Sequence, residues 1–200
     1  MENSFLLFVS TAIVALAVEN AVLARGLGMD NRSMFIKGPR GGLLMGGVFA
    51  WVIIWSALPI SLTNYLLKGS PYVMIVRAPI YLASILAVYA LTSVLGNQYL
   101  KNRQLAEEIQ KALPVATFNS ALFSAFFLSA SQNFFFSQTL GYALGSAVGY
   151  TAAIFIIYYA RKRLAISAVP RAFRGLPILL IYLGLLSLAL YGLIGHSLPT

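Results

Sequence analysis

The chain contains no cysteine, which excludes disulfides, thiolate-held metal sites and thioether haem attachment through its own residues. It has a single histidine, His196, and one imidazole cannot make a metal site; lying beyond the last apolar stretch, it reads as a solvent or interface residue. Charge is scarce as well. Only 10% of the 200 residues are charged and five are acidic, and there is neither a glycine-rich nucleotide loop nor a flavin motif, so no catalytic site is legible and the isolated chain is not read as an enzyme. What is abundant is apolar surface. At 60% of residues it exceeds what the core of a soluble domain of this size can hide, and the solvent for most of this chain is lipid.

Apolar stretches of spanning length fall near residues 4–24, 42–67, 72–97, 112–130, 139–160 and 176–195, with a window of about 20 residues as the measure. Backbone polar groups inside lipid must be paired within the chain, so these stretches are expected to be helices. Met1-Glu2-Asn3 carries no positive charge and no small-residue cleavage site follows the first stretch, so that stretch is expected to be retained rather than removed as a signal. The formal net charge of +9 would suggest nucleic acid in a soluble protein, but its placement says otherwise. Of fourteen basic residues, twelve lie in alternate loops: Arg25, Arg32, Lys37 and Arg40; Lys101, Arg103 and Lys111; Arg161, Lys162, Arg163, Arg171 and Arg174. The positive-inside rule makes those loops cytoplasmic, places both termini outside, and leaves no role for nucleic acid.

A repeat organises the chain. Asn20-Ala21-Val22-Leu23 returns 99 residues later as Asn119-Ser120-Ala121-Leu122, Gly42 and Gly46 return as Gly141 and Gly145, Gly96 as Gly195, and Pro79-Ile80 as Pro177-Ile178, one residue out of step. Two copies of one unit, 1–99 and 100–200, are implied within a single transmembrane domain. With three stretches in each copy, the second must enter the membrane from the opposite side. The expected fold is therefore an all-α membrane protein of six transmembrane helices in two inverted three-helix repeats, with helices one and four interrupted.

Inside the spans, Gly42, Gly46, Gly141, Gly145 and Gly149 recur every four residues and so line one face of a helix, where they let another backbone approach closely. Pro59, Pro79, Pro114 and Pro177 bend or interrupt helices. Glu19 and Asn20 late in the first span, and Asn119 and Ser120 early in the fourth, form a candidate midplane polar site. A carboxylate at bilayer depth is costly unless protonated, paired or wetted; Glu19 is either functional or close enough to the cytoplasmic face to reach Arg25 or water. The two asparagines either cap interrupted helices around the pseudo-twofold axis or bind an ion or electron carrier. Arg77, at the outer end of the third span, either snorkels to headgroups or serves a substrate.

These residues resemble the Rnf/Nqr membrane-subunit family, the RnfA/NqrE and RnfE/NqrD proteins of ion-pumping electron-transport complexes, along nearly the whole chain. Asn20-Ala21-Val22-Leu23 with Leu27-Gly28 is similar to the first family signature, an Asn-x-Val-Leu run leading into Leu-Gly-Leu-Cys-Pro. Leu113-Pro114 with Thr117-Phe118-Asn119-Ser120-Ala121 is similar to the second, Leu-Pro-x-x-Thr-Thr-Asn-Cys-Ala. Arg161-Lys162-Arg163-Leu164-Ala165, Val169-Pro170 and Phe173-Arg174-Gly175 resemble the RnfA/NqrE loop between spans five and six. Outside termini agree with that branch.

In the family each signature ends in a cysteine, and two related subunits pool four of them around a two-iron two-sulfur cluster. The matching positions here are Asp30 and Ser120. Neither replaces a soft thiolate, so no cluster, metal or other cofactor is expected. The resemblance implies a multi-pass subunit of a bacterial-type inner membrane in an Rnf/Nqr-like ion-translocating electron-transport complex, structural or on the ion path rather than redox-active. Its implied partners are the lipid bilayer, a homologous membrane subunit or a second copy paired across the glycine faces, and other electron-transport subunits. Two alternatives stay open: a stand-alone secondary transporter or channel, and a membrane scaffold subunit of another complex.

Overall fold

The computed structural model describes residues 4–28, 38–69, 72–99, 102–166 and 169–194; Asp30, Gly195 and His196 lie outside them. Among the described residues the regular structure is all helical: seven α-helices, a π turn and a short 3-10 turn. We number the helices α1 (Ser4–Ile13, continued by the π turn Val14–Val18), α2 (Pro39–Leu66), α3 (Val73–Tyr99), α4 (Arg103–Thr117), α5 (Ser120–Ser131), α6 (Phe136–Ile166) and α7 (Leu176–Ile194).

Three of these, α2, α3 and α6, are long and apolar enough to cross a membrane, and a fourth crossing results if α4 and α5, bent by 48° at their junction, form one broken span. The remaining apolar helices are shorter. From Ser4 to Val18 the helical chain covers about 22 Å at 1.5 Å per residue, short of a hydrocarbon core of about 30 Å; Glu19 then leaves helical geometry and residues 21–25 turn. The apolar stretch read at 4–24 is thus not one continuous helix. The stretch read at 112–130 likewise straddles two helices, because α4 begins at Arg103 with a polar turn that hydropathy rejects, and it is the Asn102 side chain, accepting from the Gln104 and Leu105 amides, that starts it.

The prolines do not make these breaks. Helices α2 and α3 run through Pro59 and Pro79, Pro114 lies inside α4, and Pro177 sits in the first turn of α7. A proline costs one backbone donor and a clash, which a helix held on its flanks can absorb. At each break an asparagine offers its own side chain to the amides that follow.

Helix α6 is the hub. It packs against α1 and its π turn, α2, α5 and α7, while α2 packs in addition against α3, α4 and α5. Lipid tails are as apolar as leucine, so close contact rather than exclusion from water must hold such helices together, and small residues provide it. A Cβ on Gly141 would run into the Phe8 carbonyl and Thr11 hydroxyl, one on Gly145 into the Ala12 carbonyl, and one on Gly149 would sit 2.6 Å from Asn20 Nδ2. Gly46 meets Thr151, and Gly42 has Ile154 3.4 Å from a built Cβ. The glycine faces are filled from within the chain and leave no room there for the helix of a second subunit. Equivalent glycines of the repeat also do different work: Gly42 and Gly46 seat α2 on α6, whereas Gly141 and Gly145 seat α6 on α1.

Candidate functional site at the junction of the interrupted segments

The π turn closes with the Glu19 amide donating to the Val14 carbonyl at 2.8 Å, and the chain then turns on Asn20. Asn20 is 2% exposed. Its Oδ1 accepts from the Val22 and Leu23 amides at 3.0 and 3.1 Å, and its Nδ2 donates back to the Leu16 carbonyl at 3.0 Å. One side chain therefore serves the donors opened by the break and a carbonyl released before it. Asn119, equally buried, caps the second break: its Oδ1 accepts from the Ala121 amide at 2.8 Å, starting α5, while its Nδ2 reaches away from the preceding helix.

The two breaks meet neighbouring positions of α6. Asn20 lies against Gly149, and the next residue along, Tyr150, accepts through its hydroxyl a hydrogen bond from Asn119 Nδ2 at 3.0 Å. Phe49 of α2 stacks on the Tyr150 ring, centroids 4.0 Å apart. The loops also touch directly. The Gly28 amide donates to the Ser120 hydroxyl at 2.8 Å, and the Gly28 carbonyl accepts from Asn119 Nδ2 at 3.4 Å. Gly28 has φ +80°, and a Cβ there would fall 2.5 Å from Asn119 Oδ1, so only glycine fits this close approach.

Glu19 is half-buried, and its Oε2 accepts a hydrogen bond from the Tyr142 hydroxyl at 2.9 Å. Tyr142 is itself fully buried and rests against Phe134. Thr117, before the second break, is also fully buried and gives its hydroxyl to the Leu113 carbonyl at 2.7 Å. Reading the sequence singled out Glu19, Asn20, Asn119 and Ser120 but missed Tyr142 and Tyr150. A signal was available: each follows a packing glycine directly, in Gly141-Tyr142 and Gly149-Tyr150, so each hydroxyl is carried on a helix that glycine has brought close to an interrupted neighbour.

The donor set is hard and sparse. Glu19 brings one carboxylate, Ser120 an exposed hydroxyl already accepting from Gly28, and the asparagines are occupied in capping. Among the described residues no group of three or more His, Cys, Asp or Glu side chains is placed to hold a metal ion. Such a set suits a single cation or proton with oxygen ligands better than a thiophilic metal.

Interrupted helices whose non-helical backbone is buried against a glycine-bearing hub, with long apolar helices around them, are the features of an integral membrane protein. Known proteins of similar sequence fall in that class. The family described as Rnf-Nqr subunit, membrane protein, matches residues 8–196, and the chain belongs to this family. It is 33% identical to the A subunit of the ion-translocating oxidoreductase complex of Syntrophotalea carbinolica, over 98% of both chains. It is 30% identical, with the same coverage, to the protein of that name from Aromatoleum aromaticum. The A subunit of the Na(+)-translocating ferredoxin:NAD(+) oxidoreductase complex of Acetobacterium woodii is 26% identical over 93% of this chain and 96% of its own.

Proposed function

We propose that this chain is an integral membrane component of an ion-translocating electron-transport complex, in the position held by the RnfA/NqrE branch, and that it contributes architecture and an ion path rather than an electron carrier. The observation that carries the reading is the junction itself. Ser120 stands where the family signature has a cysteine, and its hydroxyl is tied to the Gly28 amide; a neutral hydroxyl is a poor donor to an iron–sulfur cluster. The residues present do not fit that group. What the junction retains is Glu19, buried enough to need a partner and held by Tyr142, which is the chemistry of a proton or cation relay.

In this reading the chain crosses a bacterial-type inner membrane six times, as two inverted repeats, with both termini outside. Support comes from the alternation of basic loops and from the packing pattern: α1 of the first repeat lies on α6 of the second, while α4 and α5 of the second lie on α2 of the first. Related membrane subunits and electron-transfer subunits are the partners.

The test is made on the complex isolated through a tag on this chain. Flavin- or iron–sulfur-bearing chains should copurify, and Glu19→Gln should lower ion transport in proteoliposomes while leaving electron transfer running. A chain that purifies alone and transports alone would refute the proposal.

A further inference from the structure

At the opposite end of the helices from the basic loops, the C-terminal turn of α2, the first turns of α3 and the link between α5 and α6 enclose a cavity of about 550 Å3. Its walls are mostly apolar, with Phe134 and Phe135 among them, and its polar side chains include Asn64, Lys68, Arg77 and Asn133, beside the hydroxyls of Ser61 and Tyr65. Lys68 and Arg77 are the only charged residues between Gly41 and Leu100, so both cations of that stretch line one cavity. No described carboxylate lines it; Glu107 and Glu108 instead pair with Lys111 and Arg40.

One of the two cations and a neighbouring amide are incompletely satisfied. Arg77 Nε and Asn64 Nδ2 are buried without a hydrogen-bond partner among the described residues, although the Tyr81 hydroxyl donates to the oxygen of the same Asn64 amide. Lys68 Nζ lies over the Phe135 ring at 5.3 Å, a contact that steadies a cation without neutralising it. Buried donors with no acceptor are costly, and a guanidinium in an apolar wall more so. The deficit is specific: a buried guanidinium nitrogen and an amide donor lack an acceptor, with a second cation, exposed Lys68, at the same cavity; one anion with several acceptor oxygens would meet all three, and the aromatic walls leave room for an attached apolar group.

We propose that this cavity binds the phosphate group of an anionic phospholipid, with Arg77 and Lys68 as its ligands, Asn64 Nδ2 as a third donor, and the acyl chains lying along the phenylalanine wall. Arginine suits phosphate because its planar fork presents paired donors. The side of the membrane on which the lipid sits follows from the orientation proposed above, but the binding does not depend on it.

The test uses the full-length chain in a neutral detergent. Phosphatidylglycerol and phosphatidylcholine at equal concentration are compared by native mass spectrometry, and inorganic phosphate by its effect on thermal unfolding. Phosphatidylglycerol should be retained preferentially, and Arg77→Gln and Lys68→Gln should each weaken it by roughly tenfold or more, the loss expected for one charge-assisted hydrogen bond. Arg77→Lys should keep part of the preference. Lys68 is exposed, so its variant reports on binding even if the Arg77 variant unfolds. Stabilisation by inorganic phosphate that both substitutions abolish, without lipid preference, would keep the anion site and identify its source as soluble. Equal retention of the two lipids with no phosphate effect, or a preference that survives both substitutions, would overturn the proposal and point to a neighbouring protein as the counter-charge.

Discussion

Gly28 and Ser120 are 92 residues apart in sequence, yet the amide of the first donates to the hydroxyl of the second at 2.8 Å. That bond joins the loop after the first interrupted segment to the start of α5. Ser120→Ala should cost about 1 kcal/mol of stability, the net worth of one such bond. Asn119→Leu removes the cap on Ala121, the bond to Tyr150 and that to the Gly28 carbonyl together, and should cost several times more. Thermal unfolding in detergent, with Phe5→Leu as control at a 73% exposed position, checks both; equal midpoints for Asn119→Leu and the control would refute the capping role.

Glycine substitutions should divide by location. Gly145→Ala pushes a methyl into the Ala12 carbonyl and should cost about 1–3 kcal/mol as overpacking. Gly184→Ala, with nothing within 4 Å, should be neutral or stabilise by up to about 1 kcal/mol through helix propensity. The same unfolding assay ranks them.

Glu19 and Tyr142 should be energetically coupled. A hydrogen bond to a carboxylate is worth roughly 1.5–3 kcal/mol, so a double-mutant cycle on Glu19→Gln and Tyr142→Phe should return a coupling of that order. Additive effects would mean that the 2.9 Å contact carries no weight of its own.

Purified chain should contain no stoichiometric iron or acid-labile sulfide, because serine at position 120 and aspartate at position 30 are poor substitutes for thiolates. Elemental analysis decides this, and one cluster per chain would refute it.

Reporter fusions at the C-terminus should be active only outside the cytoplasm, given five basic residues between Arg161 and Arg174 and the orienting effect of such loops. Activity on the cytoplasmic side alone would reverse the proposed orientation.

Much of the junction could be read from the sequence because a repeat doubles its signal: Asn20 and Asn119 stand out together where either alone would pass as a chance polar residue. Their capping geometry is local, two or three residues long, and so is legible. The partners are not. Tyr142 reaches Glu19 across 123 residues, and only packing decides which of eleven tyrosines does so. Helix α4 escaped because its first half, with Arg103, Glu107, Glu108 and Lys111, is amphipathic rather than apolar. The prolines interrupt no helix, for the opposite reason. They are strong local breakers, but Pro59 and Pro79 lie in helices whose flanks hold them continuous.

The way α1 crosses to α6, while α4 and α5 cross to α2, means that the two halves of the chain are clasped rather than placed side by side. A fragment ending at residue 99 would leave α1 without the glycine seat it rests on and would strip Phe49 of its Tyr150 stack. The halves are therefore not modules that could be cut apart or shuffled singly. Whatever holds the fold together is thus shared between the two halves, and a cut at the middle of the chain would disarm both at once.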